Sequence, residues 1–314
     1  MLGMGDVGPV GREAQNHRPT ALRNGRAQRL DFVSMVGMGG RRARGPAHVI
    51  SFDVIHTPLD VKLGNRIGAY RVYQVRWPVL EGVSGEGLLL EPKRAPLGYV
   101  VTLPDADQTP EQIVGLAAGI GREEQIARRL AENGFEVVVP VLIDRGSRWS
   151  GDPQIRITDQ THREWIYRQA FHMGRHVIGY EVEKVLAAVD WFQRKSGGKG
   201  QIGVAGYGEG GLIAFYSAAV DTRIDAALVS GYFDSRQAVW SEPIYRNVWG
   251  LLREFGDAEL GTLIAPRGLI VEYSQVPAVT NQKGDLKTSK FEAVRAEFDR
   301  IDALTRPGFQ PSNY

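Results

Sequence analysis

Residues 201–220 read QIGVAGYGEGGLIAFYSAAV. A short apolar run of strand character (202–205) meets four glycines within six residues (Gly206, Gly208, Gly210, Gly211), and then a segment of small and apolar residues that predicts a helix over 212–220. Glycines at this spacing let a strand turn sharply into a helix, because no Cβ separates the two backbones. By itself the turn is equally compatible with a nest of backbone N–H groups cradling a phosphate. The surrounding chain decides between the two.

Working outward, strand and helix patterns alternate. Residues 69–77 (AYRVYQVRW) alternate as a half-buried strand does, and 85–90 predict its antiparallel partner across a turn at 81–85. Buried strands are predicted at 98–103 and 135–143, with a helix at 123–133 stopped by Gly134. A long helical region is expected over 161–195, further strands at 226–230 and 269–273, and helices around 244–255 and 291–303. Repeated strand–helix alternation predicts a mostly parallel, doubly wound sheet with an antiparallel N-terminal edge, which places ligands at the carboxyl ends of the strands.

In this setting the chain resembles the α/β-hydrolase superfamily, in particular its acetyl-xylan-esterase-like and dienelactone-hydrolase-like branch. The segments VLAAVDWF (185–192), GGKGQIGVAG (197–206), GGLIAFYSAAVD (210–221) and IDAALVSGYF (224–233) follow in family order, and the resemblance covers about residues 70–275. It implies that Gly206, Tyr207, Gly208, Glu209, Gly210 and Gly211 form the nucleophile elbow and oxyanion region. It also implies an esterase lineage, whose substrates are carboxylic esters such as acetylated carbohydrate.

The departure falls on the reacting atom. Gly208 stands where the family carries its nucleophilic serine, and glycine cannot form an acyl-enzyme. The family's histidine follows the last strand, yet all six histidines here precede residue 177, and 41 residues remain after Tyr273. The chain is therefore expected to end before a full histidine loop, with an incomplete C-terminal part. With no cysteine, only carboxylate, hydroxyl, histidine, lysine or backbone chemistry is open.

The carboxylates left as candidates for general-base work are Glu209, Asp105, Asp107 and Glu272. Glu209 also reads simply as an acid favoured at a helix N-terminus. The stretch Asp105-Ala-Asp107-Gln-Thr109 matches the D-x-D-x-T pattern of haloacid-dehalogenase-like phosphatases, but Pro104 separates it from the strand and no magnesium-completing acidic pair follows. His172 and His176 have the i, i+4 spacing of metal ligands on one helix, without the Glu of H-E-x-x-H or a third ligand, so no metal or cofactor is expected. His162, Trp165, Arg168, Trp240, Tyr245 and Arg246 are candidates for lining a cleft that suits an ester or carbohydrate.

Charge divides the chain unevenly. Residues 1–49 carry eight arginines against Asp6, Glu13 and Asp31, and their Gly, Arg and Pro content predicts a flexible basic arm before a hydrolase-like domain at 50–314. The arginines lack interleaved aromatics, which argues against nucleic acid. Neither a secretory leader nor a membrane span of about 20 apolar residues is visible, so the default expectation is a cytoplasmic protein, or an exported one if its true start lies upstream. Composition leaves the oligomeric state open. The functional expectation is an esterase-lineage protein that is catalytically impaired or uses noncanonical residues; the alternatives are an active carboxylic-ester hydrolase using carboxylate and water, a noncatalytic ligand- or carbohydrate-binding protein, and the D-x-D-x-T phosphatase.

Overall fold

The structure is a computed structural model, and it describes residues 25–38, 53–54, 59–63, 66–152, 154–155, 159–279, 283–305 and 312–313. One twisted sheet organises them. Its antiparallel edge comprises β1 (Asp53–Val54), β2 (Leu59–Leu63), β3 (Arg66–Leu80) and β4 (Val83–Pro92). The parallel part comprises β5 (Tyr99–Leu103), β6 (Glu136–Pro140), β7 (Ile202–Tyr207), β8 (Ala226–Ser230), β9 (Gly268–Glu272) and β10 (Ser312–Asn313). The order is β1-β3-β4-β6-β5-β7-β8-β9-β10, with β2 also on β3. This is the mostly parallel sheet expected from the pattern, in the α/β-hydrolase form that the resemblance implies. The last of the described strands is the two-residue β10.

Alternation along each strand sets two cores. Val75, Trp77, Leu89 and Val138 face the larger one, which is shared with α1 (Gly25–Met35), α5 (Val177–Lys195), α6 (Glu209–Val220), α8 (Asp257–Ile264) and α9 (Phe291–Leu304). Tyr70, Val72, Leu88, Leu90, Val137 and Val139 face the smaller core, which is closed by α2 (Pro110–Val114) and α3 (Ile126–Glu132). The remaining helices are α4 (His162–His172) and the single turn α7 (Leu251–Glu254).

Two local expectations are corrected. Within the segment expected to be an arm, residues 25–38 are ordered into the body: Phe32 meets Tyr216 edge-on at 4.9 Å, Val36 and Met38 are buried, and Arg29 Nη2 donates to the Leu263 carbonyl at 2.7 Å. Three apolar side chains in a polar stretch give weak periodicity, but burying them stabilises the helix through tertiary packing. The rest of 1–49 lies outside the described residues. The helical region 161–195 is broken at 173–176, so His172 ends α4 whereas His176 caps α5, its Nδ1 accepting from Ile178 N at 3.1 Å. The two histidines thus do not share a helix face.

The sheet also fixes where loops can converge. From β5 the chain steps to β6 on one side and, after α4 and α5, to β7 on the other. The carboxyl ends of β5 and β7 therefore flank the switch point at which α/β sheets open a crevice.

Candidate functional site

At that switch point the backbone takes the shape the sequence predicted. β7 ends at Tyr207, Gly208 adopts φ 59° and ψ −119°, and α6 begins at Glu209. A Cβ on Gly206 would overlap the Gly210 carbonyl, and one on Gly210 would overlap the Leu103 carbonyl, so the elbow tolerates no side chain at either position. Gly208 differs in what faces it. A Cβ there would overlap Asp105 Oδ1 and stand 2.8 Å from Pro277 Cγ.

Asp105 thus fills the space into which an elbow side chain would project. It lies just past β5, 1 % exposed, and its carboxylate is fully engaged. Oδ1 accepts from Glu209 N at 3.0 Å and Arg145 Nη2 at 3.0 Å; Oδ2 accepts from Arg145 Nη1 at 2.6 Å and Asp107 N at 3.3 Å. The Glu209 N–H is the donor that this fold ordinarily offers to an oxyanion. Here it is taken by a carboxylate of the same chain.

Arg145 is the hub. Its guanidinium grips Asp105 bidentately, reaches Asp107 Oδ2 at 3.0 Å and Glu209 Oε1 at 3.3 Å, and donates from Nε to the Tyr245 hydroxyl at 3.0 Å, using the whole donor set of an arginine. Glu209 also receives Arg246 Nε at 2.6 Å and Arg163 Nη2 at 3.5 Å. Arg163 forms a second bidentate pair with Glu181 at 2.8 and 2.9 Å, and Arg246 and Arg236 both pair with Glu242. Loops after β5, β6 and β8 and helices α4, α5 and α6 meet in this one ionic cluster.

The electrostatics follow from the arginines. Burial pushes the Glu209 carboxyl up, but Arg246, Arg163 and Arg145 outweigh it and bring it down to about 2. Burial disfavours the charge on Arg145, yet Asp105 and Glu209 hold its guanidinium well above the usual range. A carboxylate so acidic is a weak proton acceptor at neutral pH, and none of its oxygens is open to water. Arg163 Nε and Arg246 Nη2 have no hydrogen-bond partner, so the cluster is dense without being fully satisfied.

The predicted residues therefore separate. Asp105, Glu209, Tyr245 and Arg246 come together in the cluster, all buried, and Arg246 also borders two small cavities, of about 30 and 150 Å³. Asp107 joins them from the rim, its side chain 45 % exposed. A guanidinium, rather than a gap for a cation, stands between the two aspartates of the D-x-D-x-T stretch. Glu272 ends β9 beside a cavity of only about 30 Å³. Trp240 is 81 % exposed. His162 is buried, with Nδ1 2.7 Å from Asp144 Oδ1 and its ring stacked on Trp149 at 3.9 Å. Trp165 and Arg168 do line a cleft, of about 460 Å³, along the outer side of α4. Among the described residues no group of three or more His, Asp or Glu could hold a metal, and no helix is long and apolar enough to cross a membrane.

Arg145 and Glu181 were not anticipated. A signal existed for one of them: Glu181 falls on the apolar face of 177–189, where a carboxylate needs a buried cation.

Comparison with known proteins agrees with this architecture. Residues 86–238 match the family model described as the dienelactone hydrolase family. No curated protein matches the sequence. Among solved structures, a candidate acetyl xylan esterase from Bacteroides fragilis aligns with TM-score 0.59 at 15% identity over 92% of this chain and 74% of its own. A glucuronoyl esterase from Solibacter usitatus aligns with TM-score 0.52 at 14% identity, over 89% and 79%. A methylesterase aligns with TM-score 0.50 at 18% identity, over 92% and 58%.

Proposed function

The chain is an α/β-hydrolase-fold protein with a dienelactone hydrolase family match over residues 86–238, and from that premise we propose that it is a noncatalytic member of an esterase lineage. One observation carries the reading. The Asp105 carboxylate occupies both the side-chain space above Gly208 and the Glu209 N–H, so the elbow holds a salt bridge to Arg145 in place of a nucleophile and an oxyanion. Ester hydrolysis through an acyl-enzyme needs a nucleophilic oxygen and a free donor at that point, and neither is available. The ancestral ligand class would be esters of carbohydrate, in line with what the aligned esterases are named for.

The contrasting reading, catalysis by a carboxylate and water, has Asp107 as its best-placed base, since that side chain alone of the cluster's acids is half exposed. Kinetics separates the two. The purified chain with 4-nitrophenyl acetate, and with a fluorophosphonate probe, is expected to show no saturable turnover and no covalent label. Saturable turnover lost in Asp107→Asn or Glu272→Gln would replace the noncatalytic reading with the carboxylate one.

A further inference from the structure

Helix α4 is two-faced in an unusual way. Its inner side supplies His162, Arg163, Tyr167 and Ala170 to the body, as amphipathic helices do. Its outer side should be a solvated polar stripe, yet Trp165 and Phe171 stand there 40 % and 52 % exposed, interleaved with Arg168, Gln169 and His172. These five, with Ile244 from the turn after β8, line the cleft of about 460 Å³, a volume within the roughly 300–1,000 Å³ of small-molecule sites.

The platform is rigid. Arg163 anchors α4 through its bidentate pair with buried Glu181, and Thr161 caps the helix by accepting from Glu164 N at 3.2 Å. Trp165 meets Trp149 edge-on at 5.6 Å, and Trp149 lies flat on His162, itself held by Asp144. Side chains fixed before a ligand arrives lose little freedom on binding it.

Chemistry narrows the ligand. Half-exposed aromatic faces in an open cleft suit a ring that stays wet on one side and presents C–H groups on the other, which describes a pyranose. Gln160, Gln169 and Ser150 offer hydrogen bonds to its hydroxyls. Among the described residues no carboxylate lines the cleft, whereas Arg168 and His172 do. Arg168 gives Nε and Nη2 to Glu164 at 3.0 and 2.8 Å, while its Nη1 makes no hydrogen bond among the described residues. We infer that the α4 cleft is a binding site for a short oligosaccharide bearing a uronic acid, with Trp165 and Phe171 as stacking platforms and Arg168 as the carboxylate contact. The site is separate from the elbow, and the inference rests on the noncatalytic reading only in that binding is followed without turnover.

Calorimetry and tryptophan fluorescence on the full chain test it, with three probes: a glucuronate-bearing xylo-oligosaccharide, the matching neutral xylo-oligosaccharide, and benzoate. The acidic sugar is expected to bind with Kd in the millimolar range or tighter, and the neutral one several-fold more weakly. Trp165→Ala and Phe171→Ala should each weaken binding about tenfold, and Arg168→Gln should erase the preference for the acidic sugar. All three side chains are about half exposed, so an unchanged thermal midpoint confirms that each variant is folded. Absence of acidic-sugar binding, binding unaffected by both aromatic substitutions, or binding of benzoate alone would overturn the inference. Ester turnover by the wild type would sink the noncatalytic reading and leave the binding result standing.

Discussion

Helix α4 borders two regions that differ in one property. On its inner side the elbow cluster gathers Asp105, Arg145, Arg163, Glu181, Glu209 and Arg246, whose side chains are at most 2 % exposed. On its outer side the cleft carries two aromatics at 40 % and 52 % exposure with a half-exposed arginine between them. Charge density alone would pick the cluster as the reactive place. Access reverses that choice: a carboxylate whose lone pairs are occupied and whose surroundings are dry holds elements together, whereas a modest set of open groups can meet a ligand. In the proposed noncatalytic reading, the elbow is part of the core.

The largest contrast between the regions should appear on removing one arginine from each. Arg145→Met leaves Asp105 and Glu209 buried without their hub, and loss of one partner from a buried ion pair costs about 3–5 kcal/mol. Arg168→Gln, in a pair 44 % exposed on the arginine side, should cost less than about 1 kcal/mol. Denaturant unfolding of both variants measures the difference, and equal losses would erase the distinction between core and cleft.

The elbow itself offers a second, somewhat smaller effect. The substitution Gly208→Ser places a Cβ onto Asp105 Oδ1 at φ 59°, where non-glycine residues are strained. The expected destabilisation is about 2–4 kcal/mol, from backbone strain plus overpacking. Asp105→Ala removes the overlap, so the double variant should be more stable than the summed singles predict, by about 1–3 kcal/mol. Simple additivity would mean that Asp105 does not occupy the serine's space.

How much of this was legible in sequence follows from the range of the forces involved. The sheet, the elbow and the order of elements were readable because hydrophobic period and glycine spacing act over a few residues. Helix α1 was not, since Phe32, Val36 and Met38 gain their stability from Tyr216, Phe255 and the start of α5, all more than 130 positions away. Gly208 was visible in sequence as the elbow position, but the carboxylate facing it was not, because Asp105 and Arg145 meet Glu209 only through the crossing of β5, β6 and β7. Of the six residues expected to line a cleft, Trp165 and Arg168 do so at the outer face of α4, while Tyr245 turns inward to accept from Arg145 and Arg246 turns inward to donate to Glu209.

The cluster's own edge supplies the finest comparison. Glu209 and Asp257 are both fully buried carboxylates at the first position of a helix, α6 and α8. The helix dipole favours both anions by a similar small amount, so it cannot separate them. Three arginines lie within hydrogen-bond reach of Glu209 and hold it to about 2; Asp257 accepts instead from Asp234 N at 3.1 Å and the Tyr232 hydroxyl at 3.5 Å, and burial takes it up to about 8 despite Arg236 nearby. A carboxyl raised above its unfolded value of about 3.9 keeps a proton in the fold that the unfolded chain has released, so it lowers stability as pH climbs from about 4 to 8. His176 acts with the opposite sign: burial first, then Arg163, lower it to about 4 against the backbone contact with Asn247, and its contribution falls as pH drops from about 6.5 to 4. The two slopes oppose each other between about 4 and 6.5, and above that the Asp257 contribution falls by no more than about 1.4 kcal/mol per pH unit. Unfolding free energies across pH 6.5–8 should therefore decline in the wild type and flatten in Asp257→Asn. A wild-type decline that persists in Asp257→Asn would mean that the carboxyl is already ionised in the fold, and that burial without arginines does not distinguish it from Glu209.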